Sequence, residues 1–343
     1  LLRELIYNPT IQKLSEFIRN NTETEVEEKK MEDTNSELVF VREYGGDLEK
    51  GLSIIFHGAL GSFNRFDYLA DSLIASKGEK VIGIGIKDTN KYCSIPSTNL
   101  IWMLSDIYSQ IICSYQVKAV SLIGYCFGGV IALETANRLN ENSITVKSLS
   151  ILDSLLLPPS FKVEDELLME MMFLDNIPVS YADIEMPNPA LYEQIIVQES
   201  MKKGVISKGF LTSISGTAER EKLGSFFREL AVMRKEDRFG LYAVQCKKNT
   251  NVEMPMELIK SLYQVCVATF EAMHYEICPY LGTINYFFAP EGEVGFKKMV
   301  LETWEGLALG AFNVIETPGN HYTCVEQKEN AEYLAGSLCD LKE

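Results

Sequence analysis

Residues 118–140 read KAVSLIGYCFGGVIALETANRLN, and this segment constrains how the rest of the chain can fold. Its first half, 119–124, is short, apolar and partly β-branched, which is typical of a strand buried in a parallel sheet. From Ala132 onward the apolar residues fall at helical spacings, and Gly128 and Gly129 lie where the spacing changes. The pattern predicts a buried strand that turns directly into a helix.

Between the strand and the helix, residues 124–128 read GYCFG, the pattern of a nucleophile elbow with Cys126 where serine is usual. A sharp strand-to-helix turn brings flanking residues against the backbone, so the glycines avoid a steric clash. Cys126 would then stand at a helix N-terminus, whose dipole and free N–H groups favour a thiolate. We expect a nucleophilic cysteine; the other interpretations are an inert buried thiol and a serine position changed to cysteine.

Composition argues against several classes of function. The 343 residues carry a net charge of -16, so neither nucleic acid nor an anionic membrane is expected as the main partner. No apolar run is long enough to span a bilayer. The eight cysteines show no CxxC spacing, which favours a reducing cytoplasm over a disulfide framework. Three scattered histidines argue against a metal site, and neither a metal nor a bound cofactor is expected.

The N-terminal residues differ in composition from the rest of the chain. Residues 1–19 place apolar side chains on one helical face, and residues 20–36 are polar and charged, as in a flexible linker. The chain begins at Leu1 without a methionine, which suggests a piece of a longer protein. We expect a small helical unit at 1–19, a linker at 20–36 and one main domain at 37–343.

The main domain alternates between predicted strands and helices, with one long interruption. Strands are predicted at 38–41 and 52–56, joined as a hairpin through Gly45 and Gly46, and later at 80–86, 146–152, 283–288 and 312–316. Helices are predicted at 66–76, 97–115 and about 325–338. From about 156 to about 278 helical patterns dominate, such as 164–174, 189–201 and 254–275. An insertion so much longer than a usual loop predicts a helical lid over the site.

Three residues suited to nucleophilic catalysis occur in the order nucleophile, acid, base: Cys126, Asp153 and His321. Each lies at or just past the carboxyl end of a predicted strand, and in an α/β sheet these ends meet at one edge. His321 would take the thiol proton or stand as an imidazolium beside the thiolate, while Asp153 would orient the imidazole. Glu291 and Glu293 are alternatives for the acid, but they also suit a solvated turn.

Two backbone N–H groups are candidates for an oxyanion hole. The strand that ends at Phe56 runs into a glycine-bearing loop, HGALGS at 57–62, where the N–H of Ala59 is the predicted donor. The N–H of Phe127, directly after Cys126, is the second candidate. His57 is expected to order the loop or to pack, since His321 is the better-placed base.

With these residues in view, the chain resembles the terminal (type I) thioesterase domain of a nonribosomal peptide synthetase or of a hybrid polyketide–peptide synthetase. The resemblance lies in LVFVREYGGDLEKGLSIIFHGALGS (38–62), LIGYCFGGVIALETANRL (122–139) and GNHYTCVEQKENAEYLAGSL (319–338). LLRELIYNPTIQKLSEFI (1–18) resembles the final helices of the peptidyl carrier domain that precedes it. The family's acid follows the strand after the elbow, which supports Asp153. The departure is Cys126, since the family usually has serine.

The resemblance implies an α/β-hydrolase fold, with a mostly parallel sheet flanked by helices and a large helical lid, and it implies chain release. An upstream peptidyl carrier domain would present a peptidyl or polyketide–peptidyl thioester on its phosphopantetheine arm, and Cys126 would form an acyl-enzyme. A thioester is a better acyl donor to amines than an oxygen ester, so we expect macrocyclisation, preferably to a macrolactam, ahead of hydrolysis to the linear acid. A monomeric cytoplasmic domain is expected.

Other classes of function stay open. A type II editing thioesterase would share the three residues but should lack the carrier-like N-terminus, and a polyketide or fatty acid synthase thioesterase would share the elbow. A cysteine hydrolase of small lactones would not need so large a lid. The non-enzymatic alternative is a degenerate module that only docks a carrier domain.

Overall fold

The computed structural model describes residues 37–63, 65–156, 161–291 and 297–341, and of residues 200–203 the backbone only. The carrier helices expected at 1–19 and the linker expected at 20–36 lie outside these ranges. Within them, a seven-stranded, mostly parallel sheet is flanked by helices, which confirms the predicted α/β fold class. No helix in these ranges is both long and apolar enough to cross a bilayer.

The strands of the structure, in chain order, are β1 (Val39–Gly45), β2 (Asp47–Phe56), β3 (Glu79–Ile86), β4 (Ala119–Tyr125), β5 (Thr145–Leu152), β6 (Lys162–Val163), β7 (Val205–Ile206), β8 (Ile284–Phe288) and β9 (Phe312–Glu316). The main sheet has the order β1-β3-β2-β4-β5-β8-β9, and β6 pairs with β7 in a separate two-stranded sheet. Every neighbouring pair in the main sheet is parallel except β1 with β3.

The helices, in chain order, are α1 (Asp67–Lys77), α2 (Thr89–Ser94), α3 (Ser97–Ser114), α4 (Phe127–Glu141), α5 (Glu166–Leu174), α6 (Pro189–Lys203), α7 (Ala218–Val232), α8 (Lys235–Thr250), α9 (Met256–Ala272), α10 (Lys297–Leu307), α11 (Thr323–Glu326) and α12 (Lys328–Cys339). The single helix predicted at about 325–338 is therefore two helices. Gln327 has an extended backbone (φ -85°, ψ 130°) that separates α11 from α12.

The hairpin predicted between the first two strands is wrong. β1 and β2 lie on opposite edges of β3, with β1 antiparallel and β2 parallel to it. Gly46 has a φ of +83°, and a Cβ there would lie 1.9 Å from the carbonyl oxygen of Glu79. The glycine turn thus carries the chain across the end of β3. β3 is buried from Val81 to Ile86, so its backbone N–H and C=O groups need hydrogen-bond partners within the protein. β1 on one edge and β2 on the other provide these partners.

Both faces of the sheet are buried against helices. Alternate strand residues point to opposite faces, so Ile54 of β2 packs in the cluster beneath α3 and α4, and Ile55 packs in the cluster beneath α1 and α12. Since β2, β4, β5 and β8 run parallel, their carboxyl ends meet at one edge of the sheet. The segments that follow these ends include the predicted site.

The described residues 161–278, here called the helical insertion, lie between β5 and β8 and include α5 to α9. They form a hydrophobic cluster of their own, separate from the two clusters of the sheet. Helix α9 also contacts the main domain, where Ser261 and Thr89 share a hydroxyl hydrogen bond of 2.7 Å. The role of this insertion as a lid stays a prediction.

An ion pair lies inside the insertion. Arg238 Nη2 is 2.6 Å from Glu170 Oε1, and the side chains are 6% and 0% exposed. The hydroxyl of Tyr242 donates a further hydrogen bond to Glu170. Burying a charge away from water costs free energy, and here the attraction between the two opposite charges offsets that cost. Removing one of the two charges would leave the other buried without a counter-ion and would destabilise the surrounding helices.

We expect Glu170→Gln to lower the free energy of unfolding by about 3 kcal/mol, because Arg238 would keep its buried charge without a counter-ion. Equilibrium unfolding in urea measures the change. The matched control is Asp237→Asn on α8, which removes one charge of the exposed pair between Asp237 and Arg234 and should leave the unfolding midpoint unchanged. Equal midpoints for the two variants would contradict a structural role for the buried pair.

Candidate active site

Cys126 lies at the turn between β4 and α4, as the elbow pattern predicts. Its backbone has φ 54° and ψ -126°, a strained conformation for a residue with a Cβ. A Cβ on Gly124 would lie 2.4 Å from the carbonyl oxygen of Gly128, and one on Gly128 would lie 2.5 Å from that of His57. The two flanking glycines are therefore a steric requirement of the turn, for the reason expected from the sequence.

The structure brings Cys126, Asp153 and His321 together. His321 Nδ1 lies 2.8 Å from Asp153 Oδ2, and the imidazole also shares a hydrogen bond with the thiol of Cys126. The Asp153 carboxyl is 4% exposed, and its Oδ1 accepts a hydrogen bond of 3.2 Å from the N–H of Ala289. The imidazole is held between an acid and a thiol, and 28% of the His321 side chain is exposed to solvent.

The charges of the thiol and the imidazole stabilise each other. Burial alone would raise the pKa of Cys126, but the charge and hydrogen bond of His321 outweigh it and lower that pKa, helped by the N–H of Phe127. Burial alone would lower the pKa of His321, but Cys126 and Asp153 raise it to about 10. At neutral pH this arrangement favours a thiolate beside an imidazolium.

The alternative acid, Glu291, has a different place. Its Oε1 accepts a hydrogen bond of 3.3 Å from the N–H of Gly319, and its own N–H donates to the carbonyl of Gly319 at 3.1 Å. It therefore braces the loop before His321 and does not contact the imidazole. Glu293 lies outside the described residues. The geometry favours Asp153 as the partner of His321.

Two residues that the sequence did not single out support His321. The hydroxyl of Tyr125 donates to the backbone carbonyl of His321 at 2.7 Å, and its ring stacks on the imidazole at 4.9 Å between centroids. Arg65 Nη1 donates in turn to the Tyr125 hydroxyl at 3.2 Å. Tyr125 is part of the elbow motif and could have been noticed there. Arg65 could not be predicted from the sequence, because the residues that it contacts are distant in the chain.

The loop at 57–62 approaches the thiol from the other side. A Cβ on Gly58 would lie 3.8 Å from the Cβ of Cys126, so the loop backbone reaches the nucleophile. On α9, the Thr269 hydroxyl donates to the carbonyl of Ala59 at 3.0 Å and lies 2.7 Å from the hydroxyl of Tyr92. The helical insertion thereby fixes the peptide plane next to the candidate oxyanion donor.

His57 is placed to order this loop, as expected. It is buried, and burial lowers its pKa to about 4, so the ring is neutral. Nδ1 lies 2.7 Å from the carbonyl of Gly58 and Nε2 lies 2.7 Å from the hydroxyl of Tyr108. A neutral ring satisfies both partners when Nδ1–H donates to Gly58 and Nε2 accepts from Tyr108. Within the described ranges, no group of three or more His, Cys, Asp or Glu residues is arranged to hold a metal ion.

Comparisons with known proteins find similar sequences and structures. Residues 54–170 match the family model described as a thioesterase domain, a range that includes Cys126 and Asp153. The chain is 27% identical, over 294 residues, to pyochelin synthetase PchF of Pseudomonas aeruginosa strain UCBPP-PA14. That match covers 83% of this chain and 15% of the relative, so the chain spans a small part of the curated protein's length.

Solved structures share the fold. A four-domain nonribosomal peptide synthetase, holo-AB3403 bound to AMP and glycine, aligns with a TM-score of 0.62 at 17% identity, covering 98% of this chain and 22% of that one. The Vlm2 thioesterase domain aligns with a TM-score of 0.51 at 17% identity, covering 88% and 97%. The NocB thioesterase domain, in covalent complex with a fluorophosphonate nocardicin G analogue, aligns with a TM-score of 0.51 at 13% identity, covering 88% and 98%.

Residues 54–170 thus resemble a thioesterase domain, and the α/β fold of the chain is shared with solved thioesterase domains. The chain is also similar in sequence to part of pyochelin synthetase PchF and in fold to part of a four-domain nonribosomal peptide synthetase.

We expect Cys126 to be the fastest of the eight cysteines to react with iodoacetamide at neutral pH, because its pKa is held low. Burial raises the pKa of six others, Cys93, Cys113, Cys246, Cys266, Cys324 and Cys339. Peptide mass mapping after short exposure gives the rate at each site.

His321→Ala should slow alkylation of Cys126 at pH 7 and move its rate profile to higher pH, because burial then acts on the thiol without a compensating cation. His274→Ala, which removes a histidine of the helical insertion, is the matched control and should leave the profile unchanged. An unshifted profile in His321→Ala would contradict the ion pair.

Proposed function

We propose that this domain releases a finished peptidyl or polyketide–peptidyl chain from the phosphopantetheine thioester of a carrier domain, through an acyl-enzyme on Cys126. The observation that carries the proposal is the contact of the thiol with an imidazole whose Nδ1 lies 2.8 Å from Asp153. A nucleophile, a base and an orienting acid in contact are the parts that acyl transfer requires.

In the first half of the proposed reaction, the thiolate of Cys126 attacks the thioester carbonyl carbon. The tetrahedral intermediate carries a negative oxygen, for which the N–H groups of Phe127 and Ala59 are the proposed donors. When the carbon–sulfur bond to the phosphopantetheine arm breaks, the His321 imidazolium supplies the proton that the leaving sulfur takes. The result is a thioester on Cys126, and since one thioester replaces another, the step is nearly balanced in free energy.

In the second half, His321 accepts a proton from the nucleophile that attacks the acyl-enzyme. An amine of the same chain would give a macrolactam, and water would give the linear acid. We favour the macrolactam because a thioester is a better acyl donor to amines than an oxygen ester. Hydrolysis is the alternative, and the products distinguish the two.

An upstream peptidyl carrier domain is the proposed partner. The support is the similarity to pyochelin synthetase PchF and to a four-domain nonribosomal peptide synthetase, the second of which aligns over 98% of this chain. The proposed domain needs no cofactor of its own, because the substrate arrives already activated as a thioester.

A peptidyl N-acetylcysteamine thioester with a free terminal amine tests the reaction. We expect an acyl adduct on Cys126 in the intact mass and more lactam than linear acid among the products. Cys126→Ser should lower the proportion of lactam, because its acyl-enzyme is an oxygen ester. If wild type and Cys126→Ser both give linear acid alone, the proposal that a thioester acyl-enzyme favours lactam formation is wrong. An acyl adduct on another residue would reject Cys126 as the nucleophile.

Thr269→Val tests the oxyanion loop. Without the hydroxyl that holds the carbonyl of Ala59, the neighbouring N–H loses its fixed direction, so we expect kcat to fall about 10-fold with little change in KM. Steady-state kinetics with the same thioester give both constants. Thr269→Ser keeps the hydroxyl and should restore most of kcat; an equal loss in both variants would indicate a packing role instead.

A further inference from the structure

A cavity of about 700 Å³ opens beside the loop that presents His321. Its wall combines charged and aromatic side chains with the end of α5, among them Arg65, Leu174, Asp175, Tyr181, Tyr322 and Glu326. Tyr322 directly follows His321, and the rings of the two residues meet edge to face at 5.0 Å. The cavity is therefore next to the proposed reaction centre and can receive part of an acyl chain.

Asp175 directs a carboxylate into this cavity from the C-terminal end of α5. Its charge interacts with those of Glu193 and His321, and the hydroxyl of Tyr181 is hydrogen-bonded to it. The residue is exposed and lines the cavity, yet the surrounding protein partly desolvates the carboxyl and raises its pKa to about 6, so it is mostly ionised at neutral pH. The negative end of the helix dipole lies at the same point and also favours a cation there.

The guanidinium of Arg65, which lines the cavity, already interacts with neighbouring side chains. Arg65 Nε lies 3.5 Å from Glu326, and its guanidinium lies over the rings of Tyr125 and Tyr322. Asp183, a further acid of the wall, accepts hydrogen bonds from Ser180 and Asn249. The described lining thus has three carboxylates and one guanidinium, so it carries an excess of negative charge that a cationic ligand would offset.

We propose that this cavity binds a protonated amine carried by the acyl chain, with Asp175 as its counter-ion, so that the domain selects acyl thioesters that bear an amine. The aromatic faces of Tyr181 and Tyr322 suit the same cationic group. This inference rests on the proposed function, because the acyl chain must enter from a thioester at Cys126. It adds a substrate class that neither the fold nor the reaction type specifies.

The test compares two N-acetylcysteamine thioesters of equal length, 6-aminohexanoyl and heptanoyl, in which a methyl group replaces the ammonium group. The rate of acyl-enzyme formation on Cys126, followed by intact mass, gives kcat/KM for each. Wild type should prefer the amine, and Asp175→Asn should lower the ratio of the two constants about 10-fold, as expected for a charge-assisted hydrogen bond. Asp175→Glu keeps the charge and should keep the preference.

Asp237→Asn removes a carboxylate from the exposed surface of α8 and should leave the ratio as in wild type. Circular dichroism of each variant identifies any loss of folding. If Asp175→Asn does not fold, Asp175→Glu still measures whether the preference for the amine follows the negative charge. Acylation by both thioesters at equal rates, or an unchanged ratio in Asp175→Asn, overturns the amine site and leaves the proposed function standing. Acylation of wild type by neither thioester overturns the proposed function, and the amine site falls with it.

Discussion

The sharp turn from β4 into α4 is the constraint on which the site depends. Cys126 keeps a left-handed φ of 54° only because its neighbours allow the backbone to close around it. Glycine at 124 and 128 permits the close approach, and the N–H of Cys126 donates to the carbonyl of Leu152 on the adjacent strand at 3.1 Å. A thiol on a straight strand or within a regular helix would be packed among its neighbours. At this turn it is instead lifted above the edge of the sheet.

The electrostatics of the site follow from that position. The thiol meets an imidazole that a buried carboxylate already orients, and each charge makes the other less costly in a partly desolvated environment. The imidazole in turn depends on the elbow, since Tyr125 both stacks on it and binds its backbone carbonyl. Tyr125, the residue before Cys126, therefore also holds His321 in place. The same short segment thus positions both the candidate nucleophile and the candidate base, although His321 is distant in the sequence.

The sequence predicted those parts of the structure that local patterns determine. The elbow glycines, the order Cys126, Asp153, His321 and most strands could be read because steric needs and apolar periodicity act over a few residues. The hairpin failed because the choice of partner for β1 depends on β3, which comes later in the chain. Thr269 and Asp175 could not be singled out, since an ordinary helical pattern does not say which side chain will face the site.

Side chains of helix α9 make three hydrogen bonds to the main domain: Ser261 to Thr89, Thr269 to Ala59 and Thr269 to Tyr92. These hydrogen bonds attach the helical insertion to the main domain through α9. Residues of α5 to α8, by contrast, pack in the hydrophobic cluster of the insertion itself. Substitutions in α5 to α8 can therefore reshape the insertion while the hydrogen bond from Thr269 keeps the backbone at Ala59 in place.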